Sequence, residues 1–443
     1  MSLKSVVRSK RFLIITPICL LLILCAAIWT HYKSLYSTGV TPRPVLMGQM
    51  EVAPQDFAAD FAEVSDIVKD HYKLAKPKHI DIDSLNNLYA QRIASGEVKT
   101  KEDYGMMLLN YFHYLYNSHS YPCYARYSAG EDVAYVQGNV FISHPNAYLV
   151  THGLRDKDLI LKIDGQKTSD WLLNQQQYQS GSSPWYQQLQ AARHILSSYT
   201  KQRITYLVQR GQDTLDVTLP LLPPDNSVIK PQPLVTWSLP TDVIYKQDIA
   251  YIKINRLEGK DFMSQFQSAY DHVKHAADLI LDLRGCSGDD YGLARKVCQY
   301  FLKKPAKSCT GYLWQARMSP NHQAYQGMQP WLIIDGGTSG AAEALLIDMR
   351  EAGVAMPVGE PTAGDVGVGT RFFRTKRGTT FSLATWGPTF SHGGFQMEGL
   401  PYQPQVTSML SISDFMSGRD GSVSIANQSI ESRRTSQDPD AKR

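Results

Sequence analysis

One passage constrains this chain more than any other. It runs Ile333-Ile334-Asp335-Gly336-Gly337-Thr338-Ser339-Gly340-Ala341-Ala342-Glu343. An apolar strand enters a turn of minimal side chains, and a helical run follows at 344–349. Glycine lets backbone approach a ligand closely. The first turn of a helix leaves N–H groups free for whatever sits there. One hydroxyl, Ser339, stands at the corner. A serine beside such donors has what nucleophilic acyl transfer requires. The same residues also suit a tight turn whose small side chains serve packing alone.

The rest of the chain narrows the setting. Lys4, Arg8, Lys10 and Arg11 precede an apolar run at 12–29, broken by Thr16 and Pro17. That length is near the minimum for a spanning helix, and flanking basic residues keep an N-terminus on the cytoplasmic side. The run favours an uncleaved signal anchor over a cleaved signal, which makes the remainder extracytoplasmic. Net charge is only +4 over 443 residues. No basic stripe with interleaved aromatics appears, so a nucleic-acid partner is not expected. Of six cysteines, Cys298 and Cys309 are close enough in sequence to pair, although spacing alone does not establish that they do. No C-x-x-C or H-E-x-x-H pattern is present, so no metal and no cofactor are expected.

Periodicity divides the chain further. A signal anchor (1–33) is followed by a linker (34–54) and a helical segment (55–127). A β-rich domain (128–222) and a second linker (223–246) lead into an α/β core (247–429), and a disordered polar tail closes the chain (430–443). Phe57, Phe61, Val64 and Val68 share one helical face. Another helix starts near Thr100, with Asp103 in a capping-box position. It leads into the polar cluster Asn117-Ser118-His119-Ser120. Beyond 247, strands predicted at 249–254, 279–283 and 331–335 alternate with helices at 262–275 and 293–302. Such alternation predicts ligand loops at the carboxyl ends of the strands.

Residues 153–165, Asp282-Leu283-Arg284-Gly285-x-x-Gly288 and Gly359-Glu360-Pro361-Thr362-Ala363-Gly364 occur in an order that resembles the tail-specific (C-terminal processing) peptidases, tricorn-core branch. The resemblance spans roughly 55–425. It implies an α/β peptidase core of the ClpP/crotonase type behind a PDZ-like domain at 128–222. It also implies a polypeptide as substrate or bound partner, and leaves oligomeric state open.

This superfamily uses either a Ser/Lys dyad or a tetrad. The lysine slot after the Gly-Glu-Pro-Thr-x-Gly motif is Asp365 here, so the dyad fails. The tetrad reading assigns Ser339 as nucleophile, His119 as base, and Ser118 and Glu398 as partners. Amides at Gly288, Gly340 and Ala341 would bind the oxyanion. Each residue has a plainer role open to it: a turn histidine, a helix-capping serine, a solvated carboxylate. One departure is prominent. The resemblance places the nucleophile three residues before Glu343, and that slot is Gly340, with Ser339 displaced by one. Two functions follow. One is a membrane-anchored serine endopeptidase using Ser339. The other is a pseudopeptidase that binds peptide without turnover, in which Gly340→Ser restores some hydrolysis.

Overall fold

The computed structural model describes residues 38–229, 232–238, 249–310, 316–366, 369–386 and 398–437. The expected signal anchor therefore lies outside the described residues. No helix among the described residues is long and apolar enough to cross a membrane.

Three helices begin the described chain: α1 (Phe57–His71), α2 (Ile82–Ala94) and α3 (Lys101–His113). The start of α3 is set by a reciprocal capping box between Thr100 and Asp103. Their apolar faces meet Phe373, Phe381 and Leu383 in a separate core. Met50 and Val52 join it and Met47 is fully buried, so the last part of the expected 34–54 linker is packed rather than free.

The β-rich domain follows. Its strands β1 (Val133–Val136), β2 (Asn139–Ile142), β3 (Leu159–Ile163), β4 (Arg203–Arg210) and β5 (Asp213–Pro220) form an antiparallel sheet in chain order. Between β3 and β4 comes α4 (Pro184–Arg193), capped by Ser183.

The α/β core is organised by one sheet. It comprises β6 (Val235–Ser238), β7 (Ile249–Ile254), β8 (Asp278–Asp282), β9 (Trp331–Ile334), β10 (Met356–Gly359) and, after the hairpin β11 (Gly369–Arg374) and β12 (Thr380–Trp386), β13 (Val406–Thr407). The order is β6-β7-β8-β9-β10-β13. All pairs are parallel except β6 with β7, so part of the expected second linker is a sheet edge. Strands β8 and β9 are buried along their whole length, as expected of a parallel sheet covered on both faces.

Period two sorts their residues. Leu279, Leu281, Leu332 and Ile334 pack under α5 (Phe262–Val273), α6 (Tyr291–Gln299) and α7 (Ala341–Glu351). On the opposite face, Ile280, Trp331, Ile333 and Val358 meet α8 (Gly421–Gln437). Helix α8 corrects the expected disorder from 430. Val423, Ala426 and Ile430 fall on one helical face against the sheet, and Arg433 pairs with buried Asp278 at 2.5 Å. Residues 438–443 lie outside the described residues.

Candidate active site

Ser339 sits where β9 turns into α7, as the strand–corner–helix pattern predicts. Asp335 Oδ1 accepts from the amides of Gly285 and Gly337. The Thr338 hydroxyl donates to the Leu283 carbonyl, and Ser339 N–H to that of Cys286. These bonds stitch the corner to the loop after β8. Gly336 has a steric reason as well: a Cβ there would overlap Trp185, which lays α4 against the corner.

Gly340 adopts φ 58°, ψ −120°, a conformation that strains any residue with a side chain. A Cβ at Gly340 would stand 2.6 Å from the Gly288 carbonyl oxygen. That carbonyl also accepts from Ala341 N–H at 2.8 Å. Gly288, at φ 145°, thus turns an acceptor onto the helix N-terminus. The expected oxyanion set of Gly288, Gly340 and Ala341 is assembled in space, but its Ala341 donor is occupied from within.

The polar turn after α3 is pinned from several sides. Tyr116 ends the helical region in a left-handed conformation, φ 47°. Asn117 donates to Glu398 Oε1 at 3.0 Å and accepts from Ser120. Ser120 Oγ in turn accepts from the amide of Ala384 in β12. This presents Ser118 and His119 to the loop after β10. Glu343, one turn into α7, holds that loop by accepting from Thr362 Oγ1 and from the amides of Gly364 and Asp365. Burial raises Glu343 to about 8 against those hydrogen bonds.

The Asp365 carboxylate is the hub. Its Oδ1 accepts from Ser118 Oγ and from Ser182 Oγ at 3.2 Å, and pairs with His119 Nε2 at 3.1 Å, a nitrogen that also lies 3.4 Å from the Asp365 backbone carbonyl. Burial disfavours a charged His119, yet the Asp365 carboxylate overrides it and raises the imidazole to about 10. At neutral pH His119 is therefore a cation, and a protonated imidazole cannot take a proton from serine. No hydrogen bond joins Ser339 to His119 among the described residues, although both line one cavity of about 480 Å³. The phenol of Tyr186 faces Ser339 instead.

Glu398 adjoins the site through its backbone bridge to Asp365. Its carboxylate is directed at Lys78, 2.5 Å away, and Asn117. Burial raises Glu398 while Lys78 pulls it back. Four expected residues thus converge, but not as a relay ending on Ser339.

Residues 248–407 match the model of peptidase family S41, and residues 135–221 match that of the Bacteroidetes S41 peptidase N-terminal domain. The chain belongs to peptidase family S41. Among solved structures, this S41 chain is similar to mature CPAF complexed with lactacystin: 12% identity, 85% of this chain and 97% of that one, TM-score 0.66. It is also similar to the photosystem II D1 C-terminal processing protease: 14% identity, 80% of this chain and 93% of that one, TM-score 0.51. At such identities the likeness concerns the fold. No curated protein matches.

Within this S41 framework, three partners escaped the sequence reading. Asp365 was recognised only as the wrong residue for a lysine slot. A buried anion in that slot, in a chain with a histidine at the site, is the signal that would have found the pair. Lys78 and Tyr186 carry no local motif. His113 is structural as expected, its Nδ1 against the Gln179 carbonyl. Cys298 and Cys309 are buried free thiols and do not pair. Among the described residues, no cluster of three or more His, Cys, Asp or Glu is arranged for a metal.

Proposed function

We propose that this S41 chain is a membrane-anchored, extracytoplasmic pseudopeptidase that binds polypeptide in its cleft and does not hydrolyse it. One observation carries this reading: the corner position expected to hold the nucleophile is Gly340, and the space for a side chain there is taken by the Gly288 carbonyl. The cationic His119 is consistent with it. The basic residues before the apolar run at 12–29 support the anchor and the exported location. The β-rich domain serves as a PDZ-like platform that accepts an extended segment at a sheet edge.

The rival reading is an endopeptidase built on Ser339, His119, Ser118 and Glu398. It is favoured by Ser339 and His119 lining the same cavity. Labelling the full chain with a fluorophosphonate, followed by mass spectrometry, separates the two. The expected result is no adduct on Ser339 and no peptide turnover, alongside saturable peptide binding. An adduct on Ser339 that disappears in His119→Ala would overturn the pseudopeptidase in favour of the endopeptidase.

A further inference from the structure

The cavity at the Ser339 corner extends to a second group of polar side chains that the peptidase reading does not use. Arg126, Arg193 and His194 line it, together with Gln179 and Tyr199. Arg126 is half-buried and oriented from one side only. Its Nη2 donates to Gln179 Oε1 at 3.0 Å and to the Tyr199 hydroxyl at 2.7 Å. Its guanidinium carbon lies 4.2 Å from the centre of the Tyr199 ring. The Nε and Nη1 hydrogens have no protein partner among the described residues. An arginine held through Nη2 keeps its Nε and Nη1 hydrogens as separate charge-assisted donors for an incoming anion.

Neighbouring charges leave that role open. His194 Nδ1 shares Gln179 Oε1 at 3.1 Å, and burial, helped by Arg126 and Arg193, holds this histidine well below its ordinary value. It is neutral and adds no competing charge. Among the cavity's carboxylates, Glu131 lies 3.9 Å from Arg193, Glu258 pairs with Arg256 at 2.7 Å, Asp289 lies 3.8 Å from His119, and Asp365 serves the hub. None of them pairs with Arg126. A partly desolvated guanidinium with no carboxylate is costly unless an anion arrives from outside.

We propose that Arg126, with Arg193 beside it, forms a subsite for a carboxylate of the bound polypeptide, so that the cleft selects acidic segments. This rests on the cleft being a polypeptide site, as proposed above. The carboxylate is supplied either by a Glu or Asp side chain or by a chain terminus.

Fluorescence anisotropy on the full chain tests this with three labelled peptides of one scaffold. The first carries glutamates and an amidated end, the second glutamines and an amidated end, the third glutamines and a free terminal carboxylate. The amidated glutamate peptide is expected to bind about tenfold to a hundredfold tighter than the amidated glutamine peptide. Arg126→Gln should collapse that difference, and Arg126→Lys, which keeps the charge but not the Nε and Nη1 donors, should lose part of it. Preference for the third peptide, also lost in Arg126→Gln, would assign the subsite to a chain terminus. If Arg126→Gln does not fold, Arg193→Gln reports the same preference, reduced. Equal binding of all three peptides would overturn the subsite and leave the polypeptide cleft standing. Absence of binding by any of the three would overturn the cleft itself, and the subsite with it.

Discussion

His119 Nε2 and Asp365 Oδ1 stand 3.1 Å apart, and the carboxylate holds the proton on the imidazole. A triad aspartate orients one ring nitrogen and leaves the other for the nucleophile. Here the carboxylate is paired with Nε2, while Nδ1 looks toward Asp289, whose carboxylate is largely exposed.

The first prediction is spectroscopic. His119 should titrate near pH 10 by NMR of ring-labelled protein. Burial is already the largest single influence on His119, and Asp365→Asn removes its main opponent, so the titration should fall back toward or below the ordinary histidine value of about 6.5. A wild-type midpoint near 6.5 would remove the cationic His119 from the account.

Stability should carry the same signature. The folded-state value of His119 lies above its unfolded value, so its contribution is complete below pH 6.5 and is lost as pH rises through 10. Glu343, raised from 4.5 to about 8, acts with the same sign over its own lower window. Unfolding free energies from urea titrations should therefore decline from pH 6.5 to 10, with a slope of up to about 1.4 kcal/mol per pH unit from His119. Asp365→Asn should flatten the alkaline part of that decline. An unfolding free energy rising across this range would contradict the sign.

Gly340→Ser alone should not restore hydrolysis, contrary to the simplest expectation from the sequence. The new side chain meets the Gly288 carbonyl, and His119 is already protonated. Gly340→Ala should cost about 1–3 kcal/mol from backbone strain. Chemical denaturation and a fluorogenic peptide assay read the two effects separately. Turnover by Gly340→Ser would mean that the missing nucleophile was the sole defect.

Lys78 should matter more for folding than its place outside any motif suggests. Its ammonium meets Glu398, whose side chain is 1% exposed. Lys78→Met strands that carboxylate and should cost about 3–5 kcal/mol, because an uncompensated buried charge remains. Adding Glu398→Gln should recover part of the loss in the same denaturation assay. Equal destabilisation by the single and double variants would show that the charge pair is not the cause.

Helix α8 should behave as core. Ile430→Ala, at a fully buried position, should lower stability by about 2–5 kcal/mol. A shift near zero would return this segment to the disordered tail expected from its polarity.

These cases show what the sequence made legible. Period-two and period-3.6 patterns located β7, β9, α1 and α3, because each buries a continuous face of its own. Strand β9, the glycine corner and α7 were readable because their residues are consecutive. The His119–Asp365 pair was not, since it joins a turn after α3 to a loop after β10 and depends on how Glu343 holds that loop. Neither was the orientation of the Gly288 carbonyl, which no residue type specifies. Helix α8 was missed because its apolar face is narrow, and only the sheet beneath it shows that Val423, Ala426 and Ile430 form one.

The Gly288 carbonyl has a further consequence. By satisfying Ala341 N–H, it occupies from within the chain a donor that an incoming carbonyl would otherwise meet. A tether sets its local concentration by geometry and not by supply, so a diffusing carbonyl competes at a standing disadvantage. If the cleft binds without turnover, as proposed, its selectivity rests on the walls around the bound segment, and discrimination among partners becomes a matter of residence time.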